Sequence, residues 1–334
     1  MRKIICCILL IIMSWSMSGC GGGTSAPSKK LTVVAAYGNK EKIFTAFTQA
    51  TGITVDFLDM SSGEVLARTQ AEKGKPLADV WFGGGLDSFL AAKSNGVLAQ
   101  YRSKEQAAIP AEFRDPDGYW YGVSLVMVGI MANKDVLKQN KLTAPATWAE
   151  LTEPRYAGEV LFPNPNISGT SYAFVSGMLQ TKGAAAGWSY LEALAKNVPY
   201  FSKRGGEPPQ KVAAGEAALG VVPMSGEFFA LKQKAPIEVY FPADGIPWVP
   251  AGLAIFKNAK NEANAQIFVD WALSAAGQQV ICDADPRVMT RTDMPVPASL
   301  PAFSKAMLMK IDLATFGSDR QSILAEWDRR MVKK

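Results

Sequence analysis

The chain has 334 residues, 48% of them hydrophobic, a formal net charge of +5 and no histidine. So mild a positive charge does not favour nucleic acid as a partner, and the missing histidine argues against Ser-His and Cys-His nucleophiles, His-ligated metals and most hydrolases. Single cores stop growing near ~250–300 residues, so this length favours two lobes with separate cores.

The N-terminus has the features of an export signal. Two basic residues precede an apolar run over residues 4–13, which is shorter than the ~20 apolar residues that span a bilayer. Residues 17–20, Met-Ser-Gly-Cys, resemble a lipobox. Residues 1–19 are therefore predicted to be a lipoprotein signal peptide, with Cys20 as the lipid anchor and residues 20–30 as a flexible tether. The alternative is an ordinary signal peptide with an incidental cysteine.

The cysteines predict no intramolecular disulfide in the exported chain. Cys6 and Cys7 leave with the signal peptide and Cys20 would be acylated, so Cys282 stands alone. It follows a valine and an isoleucine, an apolar setting that favours core packing over a role as nucleophile.

The first part of the exported chain alternates strand-like and helix-like patterns, which is typical of an α/β protein with mostly parallel sheets. Strands are predicted over residues 31–36, 53–58 and 78–82. Helices are predicted over residues 40–50, 62–72 and 87–94.

Two long apolar runs predict crossings between lobes. Residues 121–132 form a β-type run longer than the typical ~5–6 residues, and residues 248–256 form a second. The first lobe is therefore expected to contain residues 31–126 and 250–334, and the second lobe residues 127–249. Ligands usually bind in the cleft between such lobes.

The second lobe repeats the α/β pattern, and two further segments close the chain as helices. Its strands are predicted over residues 158–162 and 219–223, and its helices from about residue 169 and over residues 184–196 and 211–217. The closing helices are predicted over residues 261–273 and 313–334.

Three strand-to-helix junctions, at residues 59–64, 83–85 and 164–171, carry small hydroxylated or glycine-rich sequences. The first N–H groups of a helix are unpaired and lie at the positive end of its dipole, so such loops can hold an anion. Simple helix capping is the alternative, by Ser61 with Glu64 and by Ser168. The candidate ligand-binding residues here are Ser61, Ser62, Gly63, Gly84, Ser168, Gly169, Thr170 and Ser171.

Other candidate ligand-binding residues lie in turns that the predicted fold would direct toward the cleft. The alternatives are a plain turn, a solvent-exposed charged loop and an acid favoured by the first turn of a helix. These candidates are Tyr37, Asn39, Lys203, Arg204, Ser225, Glu227 and Trp248.

Taken together, these motifs resemble the substrate-binding proteins of bacterial ABC importers. The similarity is greatest to the type II group, which contains ferric-iron-binding proteins and their phosphonate- and sugar-phosphate-binding relatives. It is carried by Ser-Ser-Gly at 61–63, Ala-Asp-Val-Trp-Phe-Gly-Gly at 78–84, Trp-Ala-Glu-Leu-Thr at 148–152, Ser-Gly-Thr at 168–170 and Gly-Glu-Ala-Ala-Leu-Gly at 215–220.

The resemblance implies a two-lobed type II periplasmic-binding-protein fold, with two mixed sheets flanked by helices and two hinge-strand crossings. It implies a monomeric receptor without enzymatic activity, metal or cofactor. Such a receptor is exported, here anchored by lipid at the cell envelope, and delivers its solute to the membrane subunits of an importer.

Departures from the ferric-binding pattern bear on the ligand. Ferric-binding members commonly carry a histidine after the first strand and a tyrosine pair after the strand equivalent to residues 219–223. Here those places hold Asn39-Lys40 and Ser225-Gly226. The missing phenols disfavour Fe(III) and favour a small anionic solute with a phosphate or phosphonate group.

In this interpretation, Ser62, Gly63 and residues 168–171 hold the anionic group. The remainder of the solute would contact Glu227, Asn39 or Trp248. Two alternatives stay open. One is a ferric receptor with Tyr37 as the nearby phenolate, and the other is an extracytoplasmic enzyme that acts on a phosphoester, with Glu227 or Lys203 as its base.

Overall fold

The computed structural model describes residues 29–72 and 74–331. The predicted signal peptide, Cys20 and the tether up to residue 28 lie outside these described residues. Within them, none of the helices combines the length and apolar character needed to cross a membrane.

Nine strands and twelve α-helices make up the described chain. The strands are β1 (Lys30–Ala36), β2 (Thr54–Asp59), β3 (Val80–Gly85), β4 (Tyr121–Asn133), β5 (Val160–Pro163), β6 (Phe201–Ser202), β7 (Leu219–Pro223), β8 (Ile237–Tyr240) and β9 (Trp248–Ile255). The helices are α1 (Lys40–Thr51), α2 (Ser62–Ala71), α3 (Leu86–Ser94), α4 (Lys134–Gln139), α5 (Gly169–Lys182), α6 (Ala184–Ala195), α7 (Glu207–Ala213), α8 (Gly226–Phe229), α9 (Glu262–Leu273), α10 (Ala275–Ala284), α11 (Leu313–Ser318) and α12 (Arg320–Met331).

Two mixed sheets share the strand β4. In the first lobe, β1 pairs in parallel with β2 and β3, and β9 lies antiparallel between β3 and the first half of β4. In the second lobe, the other half of β4 pairs antiparallel with β7 and β8, while β5 lies parallel to β7 and β6. This arrangement confirms the predicted two-lobed α/β fold.

The two predicted crossings run side by side. All thirteen residues of β4 are buried, which explains why its sequence is an almost unbroken apolar run. The return crossing from β8 to β9 lies antiparallel to β4 along its length. A third link was not predicted: residues 285–290 lie beside β4, where the N–H of Leu125 donates to the carbonyl of Val288 at 2.7 Å.

Interlocked aromatic rings fill the core of each lobe. In the first lobe, Phe82 and Phe47 both pack against Phe268, with ring centroids 5.7 and 5.0 Å away. In the second lobe, Trp148 and Phe162 pack against Phe174 at 4.8 and 5.3 Å. Because each lobe buries its own large side chains, the cleft between them is free to be polar.

The structure corrects two predicted helices and adds two others, α4 and α10. Helix α7 begins at Glu207 rather than at residue 211, because the prolines at 208 and 209 fit the first turn, where a missing N–H is tolerated. The stretch predicted as helical to residue 334 divides at Asp319 into α11 and α12. Helix α10 was not predicted, and its Cys282 is a free cysteine, 8% exposed.

The C-terminal helix contacts both lobes, and Arg320 at its start pairs with Asp87 of α3 in the first lobe at 2.8 Å. Residues 250–334 were expected in the first lobe, but Trp327 of α12 packs on Phe162 and Phe201 of the second lobe, with centroids 5.9 and 5.1 Å away. These aromatic contacts join the helix to the second lobe. Sequence spacing does not reveal them, because the rings are far apart in the chain.

Candidate functional site

A cavity of about 600 Å³ lies between the two lobes. The first lobe contributes the ends of β1 and β3 and the start of α2 to its walls. The second lobe contributes the start of α5, the loop before α7 and the start of α8. The predicted residues that line it are Tyr37, Ser61, Ser62, Gly84, Ser168, Gly169, Thr170, Lys203, Arg204 and Glu227.

The remaining predicted residues are not among those that line the cavity, mostly because their polar groups are bonded elsewhere. The side-chain amide of Asn39 donates to the carbonyl of Ala284 at 2.9 Å, and the indole N–H of Trp248 donates to the carbonyl of Met309 at 2.8 Å. The structure therefore does not bring these side chains to the cavity. The residues concerned are Asn39, Gly63, Ser171, Ser225 and Trp248.

The starts of α2, α3 and α5 meet at one end of the cavity, which we call the anion end and define by Ser62, Gly85, Gly169 and Thr170. Ser62 is 2% exposed, and its hydroxyl has no hydrogen-bond partner among the described residues. Gly169 and Thr170 open α5, so their N–H groups have no carbonyl of the helix to bond. Free N–H groups and the positive end of a helix dipole favour an acceptor with negative charge at this junction.

Helix capping and cavity lining occur together at these junctions. The Ser168 hydroxyl accepts from the N–H of Ser171 at 3.4 Å, and the Glu64 carboxylate accepts from the N–H of Ser61 at 2.8 Å. Ser171 itself donates to a backbone carbonyl and is fully buried. The two interpretations of these loops are therefore compatible.

Glycines allow the backbone to approach closely at the anion end. Gly84 has φ of +87°, and a Cβ there would lie 2.7 Å from the Cβ of Ser62. Such a conformation and such a distance both exclude a larger residue. The glycines of β3 therefore bring the backbone against Ser62.

Basic side chains flank the anion end. Lys40 pairs with Asp59 at 3.2 Å, and Arg204 lies 3.7 Å from Asp59 and 3.5 Å from Glu64. These acids and Arg204 are 33% to 56% exposed, so the pairs of Arg204 are weak and leave this cation available to a ligand. Lys203 makes no ion pair with any residue that the structure describes.

Acidic groups also lie around Glu227. Its N–H donates to Asp285 at 3.1 Å, and Asp285 in turn accepts from Arg287 at 2.7 Å. Burial, and then the charge of Asp285, raises the pKa of the Glu227 carboxyl. This carboxylate lines the cavity and can accept a hydrogen bond from a hydroxyl or ammonium group.

Tyr37 forms the wall beside these acids. Its hydroxyl lies 2.8 Å from the hydroxyl of Ser124 in β4, and the guanidinium of Arg287 stacks 4.1 Å above its ring. Burial raises the pKa of the Tyr37 phenol, more than Arg287 lowers it. The Tyr37 hydroxyl is therefore already bonded to Ser124 and is not free to bind a hard cation.

Several cavity residues were missed by the sequence analysis. Arg287 and its partner Asp285 follow α10 in an irregular segment, where no local motif marks them. Lys40 and the glycines at 205 and 206 adjoin predicted candidates, so the same turn signals could have included them.

Comparisons with known proteins point to one group. A family model described as bacterial extracellular solute-binding protein matches residues 75–310. An uncharacterized protein of Haemophilus influenzae is 31% identical over 293 residues, which cover 84% of each chain.

Two solved structures share the fold. The periplasmic binding protein AfuA from Actinobacillus pleuropneumoniae, with exogenous fructose 6-phosphate bound, is 28% identical with a TM-score of 0.84, covering 90% of this chain and 98% of that one. Iron-bound HitA from Pseudomonas aeruginosa is 22% identical with a TM-score of 0.74, covering 89% and 98%. The ligands in these two structures differ, so the fold leaves the ligand open.

Proposed function

The chain belongs to the family of bacterial extracellular solute-binding proteins, and from that premise we propose that it captures a small organic solute bearing a phosphate or phosphonate group. Proteins of this family are binding proteins rather than enzymes, and the periplasmic ones deliver small solutes to the membrane subunits of ABC transporters. The lipid anchor at Cys20 and the monomeric state are part of the proposal.

The single observation that carries the ligand class is the Ser62 hydroxyl. It is buried at the cavity wall with no hydrogen-bond partner among the described residues, and an unsatisfied buried polar group costs about 1–3 kcal/mol. A phosphate oxygen placed against Ser62 and the first N–H groups of α5 would remove that cost. Three oxygens on one group match several donors that converge from two lobes.

An unpaired cation at the cavity wall supports an anion. Four basic side chains line the wall with three acidic ones, Asp59, Glu207 and Glu227. The basic residues are Lys40, Lys203, Arg204 and Arg287. Lys40 and Arg204 pair with Asp59, and Arg287 pairs with Asp285, so Lys203 is the cation without an ion pair among the described residues. Since Glu227 lies near Gly38 and Asp285, it would bind a hydroxyl or amine on the remainder of the solute.

The comparison with AfuA supports a phosphorylated solute, because that protein holds fructose 6-phosphate. The likeness to iron-bound HitA keeps a ferric receptor as the second candidate. Tyr37 weighs against it, since its phenol is buried under a guanidinium and hydrogen-bonded to Ser124. Among the described residues, no group of three acidic or cysteine side chains is placed to hold a metal ion.

Thermal unfolding tests the proposal. Protein lacking residues 1–20 should melt several degrees higher with fructose 6-phosphate or 2-aminoethylphosphonate, because a ligand at 1,000 times its Kd stabilises the native state by about 4 kcal/mol. Fructose and ethanolamine, which lack the phosphorus group, are matched controls and should give little shift. A shift with Fe(III), together with a visible phenolate charge-transfer band, would support the ferric receptor instead.

A further inference from the structure

One backbone hydrogen bond joins the two lobes beside the cavity. The N–H of Gly63, in the first turn of α2, donates to the carbonyl of Ile167 in the loop before α5, at 3.1 Å. Gly63 was predicted to bind ligand, but its N–H is bonded to protein and the residue does not line the cavity.

The space around Gly63 explains why this position holds a glycine. A Cβ there would lie 2.2 Å from the carbonyl oxygen of Asn166 and 2.8 Å from the Cα of Ile167. Both are backbone atoms, so no side-chain rotation relieves the clash. Gly63 does not have a positive φ, and within a helix alanine is preferred to glycine. The requirement for glycine therefore comes from the other lobe.

A second glycine contact lies next to the first. A Cβ on Gly169 would be 2.6 Å from the backbone nitrogen of Gly85, and a Cβ on Gly85 would be 2.9 Å from the Cα of Gly169. Gly63 and Gly85 belong to the first lobe, whereas Ile167 and Gly169 belong to the second. We call these four residues the closure seam.

We propose that Gly63 is a positioning residue that sets solute affinity by letting the lobes close, and that it does so without touching the solute. The inference rests on the proposed function, because it assumes a solute that binds between the lobes. A solute stabilises the closed state by its differential contacts, so any change that obstructs the seam lowers affinity. The seam thus adds an intramolecular contribution to the free energy of binding.

The variant Gly63→Ala, made in the full chain, distinguishes an effect on lobe closure from an effect on folding. Without solute, the variant should melt at or slightly above the wild-type temperature, because the seam is not required for either lobe to fold. Its affinity for fructose 6-phosphate, measured by calorimetry, should fall about 10- to 100-fold, the range expected for a clash of this kind. X-ray scattering should show that the probe compacts the wild type but not the variant.

Gly177→Ala is the matched control. Gly177 lies within α5, does not line the cavity, and a Cβ there would meet only ordinary contacts at 3.4 Å or more. This variant should bind fructose 6-phosphate and compact like the wild type. NMR of labelled wild type should show scalar coupling from the Gly63 amide to the Ile167 carbonyl, which a direct bond to a phosphate would not give.

The outcomes distinguish the two proposals. If wild type and Gly63→Ala bind and compact equally, the closure seam is wrong and the proposed function stands. If the wild type binds neither fructose 6-phosphate nor 2-aminoethylphosphonate, the proposed ligand class fails, and the seam is decided by scattering from the unliganded proteins. A compact fraction in wild type that Gly63→Ala lacks supports the seam, and identical scattering overturns it.

Discussion

Replacing Arg320 with alanine should lower the free energy of unfolding at pH 7 by about 3–5 kcal/mol, because it leaves a buried carboxylate without its cation. Asp87 in α3 is 1% exposed and accepts from the Arg320 guanidinium at 2.8 Å. Its second oxygen has no partner among the described residues. The same guanidinium lies 5.7 Å above the ring of Tyr172, so packing is lost as well. Chemical denaturation measures the effect.

The loss of unfolding free energy in Arg320→Ala should depend on pH, in a direction set by the pKa of Asp87. Burial raises the pKa of Asp87, and Arg320 is the largest influence that opposes the rise. A carboxyl with a raised folded-state pKa favours folding most below its ordinary value of 3.8, and this contribution is lost as the pH rises through the folded-state pKa. The difference in unfolding free energy between wild type and Arg320→Ala should therefore decrease as the pH falls toward 3.8.

Arg329→Ala on the same helix is the matched control. Its partner is Glu326, and the Arg329 side chain is 62% exposed, so the loss should stay below about 1 kcal/mol. Adding Asp87→Asn to Arg320→Ala should recover much of the stability, because the buried charge is then absent. Equal losses for Arg320→Ala and Arg329→Ala would contradict this role for the ion pair.

Ser62→Asp should weaken binding of fructose 6-phosphate by at least about 100-fold. A carboxylate placed ~4 Å from a phosphate opposes it by about 4 kcal/mol at an effective dielectric constant near 20. An acid in the first turn of α2 suits the helix dipole, but at this 2%-exposed position it also lowers stability, so the unliganded variant must first be shown to be folded. Calorimetry with the same protein batch, checked by circular dichroism, measures both properties.

Two further variants show whether position or charge is responsible. Ser62→Ala removes only the hydroxyl and should cost about 1–3 kcal/mol of binding, or roughly 5- to 150-fold. Ser189→Asp adds the same charge to the exposed surface of α6 and should bind normally. Wild-type affinity in Ser62→Asp would show that the anion end does not hold the phosphate.

The sequence predicts those elements of the fold that depend on residues close to one another in the chain. The continuous apolar run of β4 indicates a strand buried on both faces, and the small residues after β2 and before α5 indicate junctions open to a ligand. Both rest on neighbours in sequence. Ser62 and Ser168, which these junctions single out as candidates, line the cavity.

Contacts between segments that are distant in sequence account for most of the features that the sequence does not predict. Trp248 looked suited to a solute, yet its indole N–H is taken by Met309, sixty-one residues away. Arg287 reaches the cavity only because residues 285–290 lie beside β4. Helix α12 packs on the second lobe through the contact between Trp327 and Phe162. No periodicity or turn signal in these segments specifies such partners.

Native mass spectrometry of the protein, purified from bacteria without added solute, tests the central claim most directly. The account predicts a retained small organic molecule whose fragments include a phosphate or phosphonate ion, and whose loss lowers the melting temperature. Retention of iron, or of a small molecule without phosphorus, would contradict it.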